Sequence, residues 1–289
     1  MNSFTVEVPG GALEVHRWPA REPGAPVVLV VHGITANGLS WGRVAEHLDG
    51  RVTLLAPDLR GRAGSAAVSG SAGIARHADD LIAVLDHVGA DRVVVAGHSM
   101  GAFVACVAAV RHPSRVRSLV LVDGGVGFPV PDGVDVDAVL AAVLGPAMAR
   151  LSMTFPDVEA YHAFWRDHPA FAGQWSAAVA AYVEHDLTGE PPALRSSCSL
   201  DAVRVDGTAV IRDPETLTAV RRLPVPAVLL WASRGLSNEP QGLYDAGRLA
   251  AAGLDPERVT AFEVPDTNHY SILIGDTGAR AVAARILAT

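Results

Sequence analysis

The segment Gly97-His98-Ser99-Met100-Gly101 sets one hydroxyl between two glycines. The apolar run 93–96 precedes it, and the small apolar run 102–111 follows it and stops before Pro113. A G-x-S-x-G between a buried strand and a buried helix is the arrangement of a nucleophile on a sharp turn. Such a turn holds the serine in strained dihedrals, and flanking glycines keep neighbouring side chains out of its way. Ser99 then projects at a helix N-terminus, where the dipole favours developing negative charge. In a chain with 28 glycines the pattern alone says little. The strand before it and the helix after it make it informative.

A serine hydroxyl needs a general base. Among eleven histidines, His269 has the right setting, in the loop Val264-Pro265-Asp266-Thr267-Asn268-His269-Tyr270 after the last predicted strand. His47, His77 and His87 fall in predicted helices. His162, His168 and His185 lie in an insertion, and His98 holds the variable position of the turn. His162 and His168 are six apart, not the four-residue step of a helical metal pair. A second loop, His32-Gly33-Ile34-Thr35-Ala36-Asn37, follows the run Val27–Val31. It can aim a backbone N–H at a reacting carbonyl oxygen, which points to the amides of Ile34 and Met100 as the two oxyanion donors.

The elements that must position these groups alternate. Runs 27–31, 93–96, 119–122 and 227–231 are short, rich in Val and Leu and not alternating, as strands covered on both faces are. Runs 52–56 and 259–264 add two more. Helical spacing marks 74–88, with Gly89 as a stop, and the closing segment 278–287. Strand–helix alternation predicts an α/β fold with a mostly parallel twisted sheet and helices on both faces. The start differs, because 4–8 and 13–16 flank Pro9-Gly10-Gly11, a hairpin signal. Between about 127 and 223 buried-strand runs are missing and half of the aromatics gather, with helical spacing at 136–144 and 175–184. We read 1–126 and 224–289 as the core domain and 127–223 as an inserted, mainly helical cap.

Composition agrees. The 289 residues are 49% apolar and 19% charged, with a net charge of −8. This composition belongs to a core-rich globular chain. No basic run points to nucleic acid. No apolar run approaches the roughly 20 residues that span a bilayer, and the N-terminus lacks a secretory pattern. A cytoplasmic protein is expected, with homodimerisation left open. Cys106 and Cys198 are too few for a disulfide framework and read as small buried hydrophobes. No metal or organic cofactor is implied, and the glycine-rich stretch 61–73 fits neither a dinucleotide fingerprint nor a phosphate loop.

The chain resembles the α/β-hydrolase superfamily, in its cap-bearing, epoxide-hydrolase-like and esterase-like branch. The resemblance covers nearly the whole chain and rests on His32-Gly33, Pro57-Asp58-Leu59-Arg60-Gly61, the Ser99 pentapeptide, Leu121-Val122-Asp123 and the His269 loop. It implies a triad in the order Ser…Asp/Glu…His. Many relatives place the acid in a Trp-Gly-x-x-Asp motif, whereas this chain reads Trp231-Ala232-Ser233-Arg234-Gly235. Some relatives carry the acid one core strand earlier, which here is Asp123. Glu239 is the alternative. Asp266 is read as shaping the His269 turn, and Asp58 as bracing the turn 57–61.

Epoxide- and halide-processing relatives carry a carboxylate nucleophile, so Ser99 argues for acyl transfer to water on a carboxylesterase or lactonase pattern. The cap aromatics suggest a small hydrophobic ester or lactone, with Trp41, Met153, Phe155 and Trp165 as candidate lining residues. Carbon–carbon bond hydrolases and cofactor-free perhydrolases share the serine turn. A non-catalytic ligand binder on a hydrolase scaffold is the reading from another class.

Overall fold

The apolar runs of the sequence become the strands of one sheet. The computed structural model describes residues 1–70, 72–128, 130, 131 and 133–289. Its strands are β1 (Asn2–Val8), β2 (Gly11–Trp18), β3 (Val27–Val31), β4 (Thr53–Pro57), β5 (Val93–His98), β6 (Val116–Val122), β7 (Leu187–Thr188), β8 (Arg195–Ser196), β9 (Ala227–Ala232) and β10 (Val259–Val264). Eight of them form a sheet in the order β1-β2-β4-β3-β5-β6-β9-β10. β1 and β2 make the expected hairpin, with Val8 opposite Gly11. β2 also runs antiparallel to β4. All remaining pairs in this sheet are parallel.

Side chains alternate between the two faces of each strand. Leu29, Val31, Val95, Leu119 and Leu121 join one buried cluster, beneath helices Ile74–His87 and Met100–Arg111. Val28, Val30, Val94, Ala96, Val120 and Val122 join a second, beneath helices Gly42–Leu48 and Asp276–Ala288. With both faces covered, polar alternation is absent from these strands, and that is why they read as continuous apolar runs. From β3 the chain moves one way to β4 and then back past it to β5. The reversal opens a crevice at the carboxyl ends of β3 and β5, where α/β sheets place their sites. The loops bearing Gly33 and Ser99 leave the sheet at those two ends.

Between β6 and β9 the chain forms helices Val136–Leu144, Pro146–Ala149, Val158–Arg166, Ala177–Glu184, Leu200–Arg212 and Pro214–Thr218. Asp157, Ser176, Ser199 and Asp213 cap four of them with side-chain oxygens, satisfying amides that the first turn leaves free. The small β7–β8 hairpin, with Leu187 opposite Ser196, was not expected, because two-residue strands leave no periodic signal. Among the described residues no helix is long and apolar enough to cross a membrane.

Candidate active site

Ser99 sits between β5 and helix Met100–Arg111 with φ 54° and ψ −122°. A non-glycine residue at positive φ is strained and persists only where its surroundings over-determine it. The surroundings here are backbone. The Ser99 N–H donates to the Val122 carbonyl at 2.9 Å, and the Ser99 carbonyl accepts from the Ala102 N–H at 3.0 Å. A side chain on Gly97 would strike the Gly101 carbonyl, and one on Gly101 would strike the backbone of Val31. Gly124 belongs to the same device, since a Cβ there would overlap the Ser99 carbonyl.

His269 Nδ1 lies 2.7 Å from Asp123 Oδ2, with both side chains buried. The other carboxylate oxygen, Oδ1, accepts the Ala232 N–H at 3.0 Å. Asp123 therefore bridges the end of β6, its own strand, to the end of β9 and to the histidine loop. It does so at φ 45°. Glu239 instead folds back on its own loop, accepting the Ser237 N–H at 2.9 Å. A Cβ on Gly235 would collide with that same carboxylate, so the loop after β9 is closed at the position where many relatives carry the acid. Asp266 takes φ 58° in the turn before His269. Asn268 then fastens the loop, its carbonyl oxygen accepting from Tyr270 and Ser271 and its amide donating to the Ala170 carbonyl at 3.1 Å.

The Gly33–Ile34 peptide lies against Ser99: a Cβ on Gly33 would sit 3.7 Å from Ser99 Oγ. The Gly33 carbonyl accepts from His32 Nδ1 at 2.8 Å and from the Ala36 N–H at 3.1 Å. In a planar trans peptide, fixing that carbonyl fixes the Ile34 N–H in the opposite direction. His32 Nε2 accepts the Leu59 N–H at 2.9 Å, so this ring is a neutral tautomer with one donor and one acceptor. Burial pushes its pKa down to about 3. The Met100 N–H is at the first turn of the helix behind Ser99, and Ile34 and Met100 line the same cavity as Ser99.

Sequence reasoning passed over two groups. His98, at the variable position, donates from Nε2 to the His269 carbonyl at 2.8 Å and packs 4.7 Å from that ring, tying the Ser99 turn to the histidine loop. Burial, reinforced by the neighbouring His269, lowers its pKa well below the ordinary value. Two buried arginines hold successive carbonyls of the loop 32–37: Arg62 donates twice to Ile34 O, at 3.0 and 2.9 Å, and Arg150 donates to Thr35 O at 2.7 Å. No spacing rule links these residues, which are 28 and 115 positions from their partners.

The expected lining residues lie elsewhere. Trp41 is wholly buried in the core beside Val44 and Leu48. Phe155 bridges to Leu194 and stacks edge-on to Tyr161. Trp165 packs on Phe171 beneath the Arg150 guanidinium, and Met153 is exposed. Trp41, Phe155 and Trp165 instead fill the second buried cluster, packed with Val28, Val30 and Val94 of the sheet. The space beside Ser99 is instead an apolar cavity of about 320 Å³, walled by Phe103, Val126, Leu140, Val143, Val210 and Leu243. Asp58, read as bracing the turn 57–61, accepts from the Gly38 and Gly64 amides and from His185. Cys106 and Cys198 are buried and free, and burial raises the pKa of both.

The doubly covered sheet, the strained serine turn at its switch point and the carboxylate-held histidine that lines one pocket with Ser99 define a hydrolase scaffold. Residues 26–276 match the α/β-hydrolase fold family, and the chain belongs to it. Lipase LipV of Mycobacterium tuberculosis is 39% identical over 144 residues, 48% of this chain and 52% of that protein. Epoxide hydrolase A of the same organism is 41% identical over 103 residues, 35% of this chain and 32% of that protein. The chain thus spans about half or less of these curated relatives. The crystal structure of E-2-(acetamidomethylene)succinate hydrolase superposes over 100% of both chains with a TM-score of 0.78 at 22% identity, a likeness of fold.

Proposed function

We propose that this protein is a serine hydrolase that cleaves an ester or lactone of a small, uncharged, hydrophobic acid. The observation that carries the reading is the buried 2.7 Å contact between Asp123 and His269, beside a serine held at positive φ. Ser99 Oγ attacks the carbonyl carbon while His269 Nε2 takes its proton. Asp123 holds the ring with Nδ1–H toward itself and balances the imidazolium charge. The Ile34 and Met100 amides receive the oxyanion. His269 returns the proton to the leaving alkoxide, and water then cleaves the acyl-enzyme with the same base.

The cavity supports the substrate class. Asp123 is the one charged residue on its lining among the described residues. A substrate carboxylate there would be buried without a cation, at a cost no aliphatic wall repays. A serine rather than a carboxylate at the nucleophile position argues against epoxide opening.

Labelling with a fluorophosphonate probe tests the reading, followed by turnover of p-nitrophenyl acetate, hexanoate and palmitate beside a succinate half-ester. We expect labelling of the wild type, none of Ser99→Ala, and hexanoate preferred over the half-ester. A folded wild type that neither labels nor turns over any ester points to a ligand-binding role instead.

A further inference from the structure

Three side chains outside the cavities at Ser99 converge on one point. His16 stands on β2, Asp58 directly after β4, and His185 directly after helix Ala177–Glu184. His16 Nε2 and His185 Nε2 are 3.2 Å apart. His185 Nε2 lies 2.7 Å from Asp58 Oδ2, and His16 Nε2 lies 3.3 Å from Asp58 Oδ1. From this geometry we infer that the protein carries a site for a divalent transition-metal ion, held by His16, Asp58 and His185.

Hydrogen bonding alone does not satisfy this triangle. A carboxylate only accepts, and each Nε2 carries at most one proton. If both rings present N–H to Asp58, the two N–H groups confront each other across 3.2 Å. If only one does, the lone pair of the other ring faces the carboxylate at short range. A single cation among the three atoms removes the conflict. Two ligands at about 2.0–2.1 Å on a tetrahedral ion stand roughly 3.3 Å apart. The His16–His185 and His16–Asp58 edges already have that length, and the His185–Asp58 edge must open slightly.

The surroundings fit a built site. Asp58 is wholly buried and His16 nearly so, and the Gly38 and Gly64 amides orient the carboxylate, at 2.7 and 3.0 Å. Outer bonds of this kind hold metal-ligating groups in place. His185 is 22% exposed and forms one wall of a polar cleft of about 520 Å³, together with Gly64, Thr188, Arg195 and Ser196. The cleft offers the ion a way in and room for a water as fourth ligand. Two imidazoles with one carboxylate suit Zn²⁺, Co²⁺ or Ni²⁺ rather than Mg²⁺ or Ca²⁺. Because the ligands come from β2, from the turn after β4 and from the inserted segment, the ion fastens that segment to the sheet. Binding only the docked state, it stabilises that state.

The test uses the full chain stripped with a chelator and titrated with Zn²⁺ against a chromophoric competitor, then with Co²⁺. We expect a single tight equivalent per chain, a rise in Tm, and the intense visible bands of tetrahedral Co²⁺. His185→Asn and, separately, His16→Asn should remove the tight equivalent and the Tm rise. His185 is partly exposed, so its variant is expected to keep the native circular dichroism spectrum. His162→Asn, which alters a nearby histidine–carboxylate pair, should leave binding unchanged. Absence of a tight equivalent in the wild type, or its retention by either ligand variant, overturns the inference.

Discussion

Asp123 Oδ2 and His269 Nδ1 meet at 2.7 Å across 146 positions of chain. The pair also explains how Gly235 can stand where many relatives carry an acid: Asp123, one strand earlier, reaches the same imidazole and bonds the Ala232 amide as well. Replacing Asp123 by Asn leaves a group of the same shape but favours the wrong ring tautomer. We expect kcat to fall by about 10⁴ with the fold retained, while Glu239→Gln stays near wild type. Steady-state kinetics of both variants on one ester decide it, and the opposite ranking would assign the acid to Glu239.

Arg150 joins the chain between β6 and β9 to the loop after β3. It donates to the carbonyls of Thr35 and Ala147 at 2.7 and 2.6 Å and to the Tyr161 hydroxyl at 3.1 Å, and it lies 3.2 Å from Asp186. Arg150→Met removes the cation and leaves Asp186 buried without it. Breaking such a pair costs roughly 3–5 kcal/mol. Urea unfolding should show that loss, and residual folded enzyme should lose kcat more than KM because Thr35 is released. An unfolding midpoint equal to wild type contradicts this account.

Gly207, on helix Leu200–Arg212, faces the cavity, and a Cβ there would meet the terminal methyl carbons of Leu140 at 2.6 Å. Gly207→Ala should push Leu140 into the cavity. A pocket altered by about one methylene changes discrimination by roughly 10–200-fold. We expect the ratio of kcat/KM for hexanoate over acetate to fall by at least the lower figure. An unchanged chain-length profile would place the acyl group elsewhere.

His32 is neutral in the folded protein, its pKa lowered to about 3 by burial. An unfolded histidine takes a proton near pH 6.5. Below that pH the unfolded state binds the extra proton, so stability falls with acidification, by about 1.4 kcal/mol per pH unit from this residue. The contribution is complete above about pH 6.5 and disappears progressively down to about pH 3. Nuclear magnetic resonance titration should show the His32 ring neutral at pH 5, with unfolding free energy lower there than at pH 7. A ring that titrates near pH 6.5 in the folded state refutes it.

How far the sequence reached follows from the range over which each signal acts. The strands of the sheet, the β1–β2 hairpin, the serine turn and the histidine loop were legible because each is written in neighbouring residues. Continuous apolar runs report covered strands, and two glycines around a serine report one crowded turn. Tertiary structure decided what lies between distant residues. Asp123 was separated from Glu239 as partner of His269 by the ends of β6 and β9 lying side by side. Trp41, Phe155 and Trp165 went to the interior because large rings fill a core as readily as they line a pocket, and composition does not tell the two apart. The grip of Arg62 and Arg150 on the Ile34 and Thr35 carbonyls, and the meeting of His16, Asp58 and His185, exist only once distant strands and helices have packed. A charged or titratable side chain in a sequence names neither its burial nor its partner, and both are properties of the folded chain.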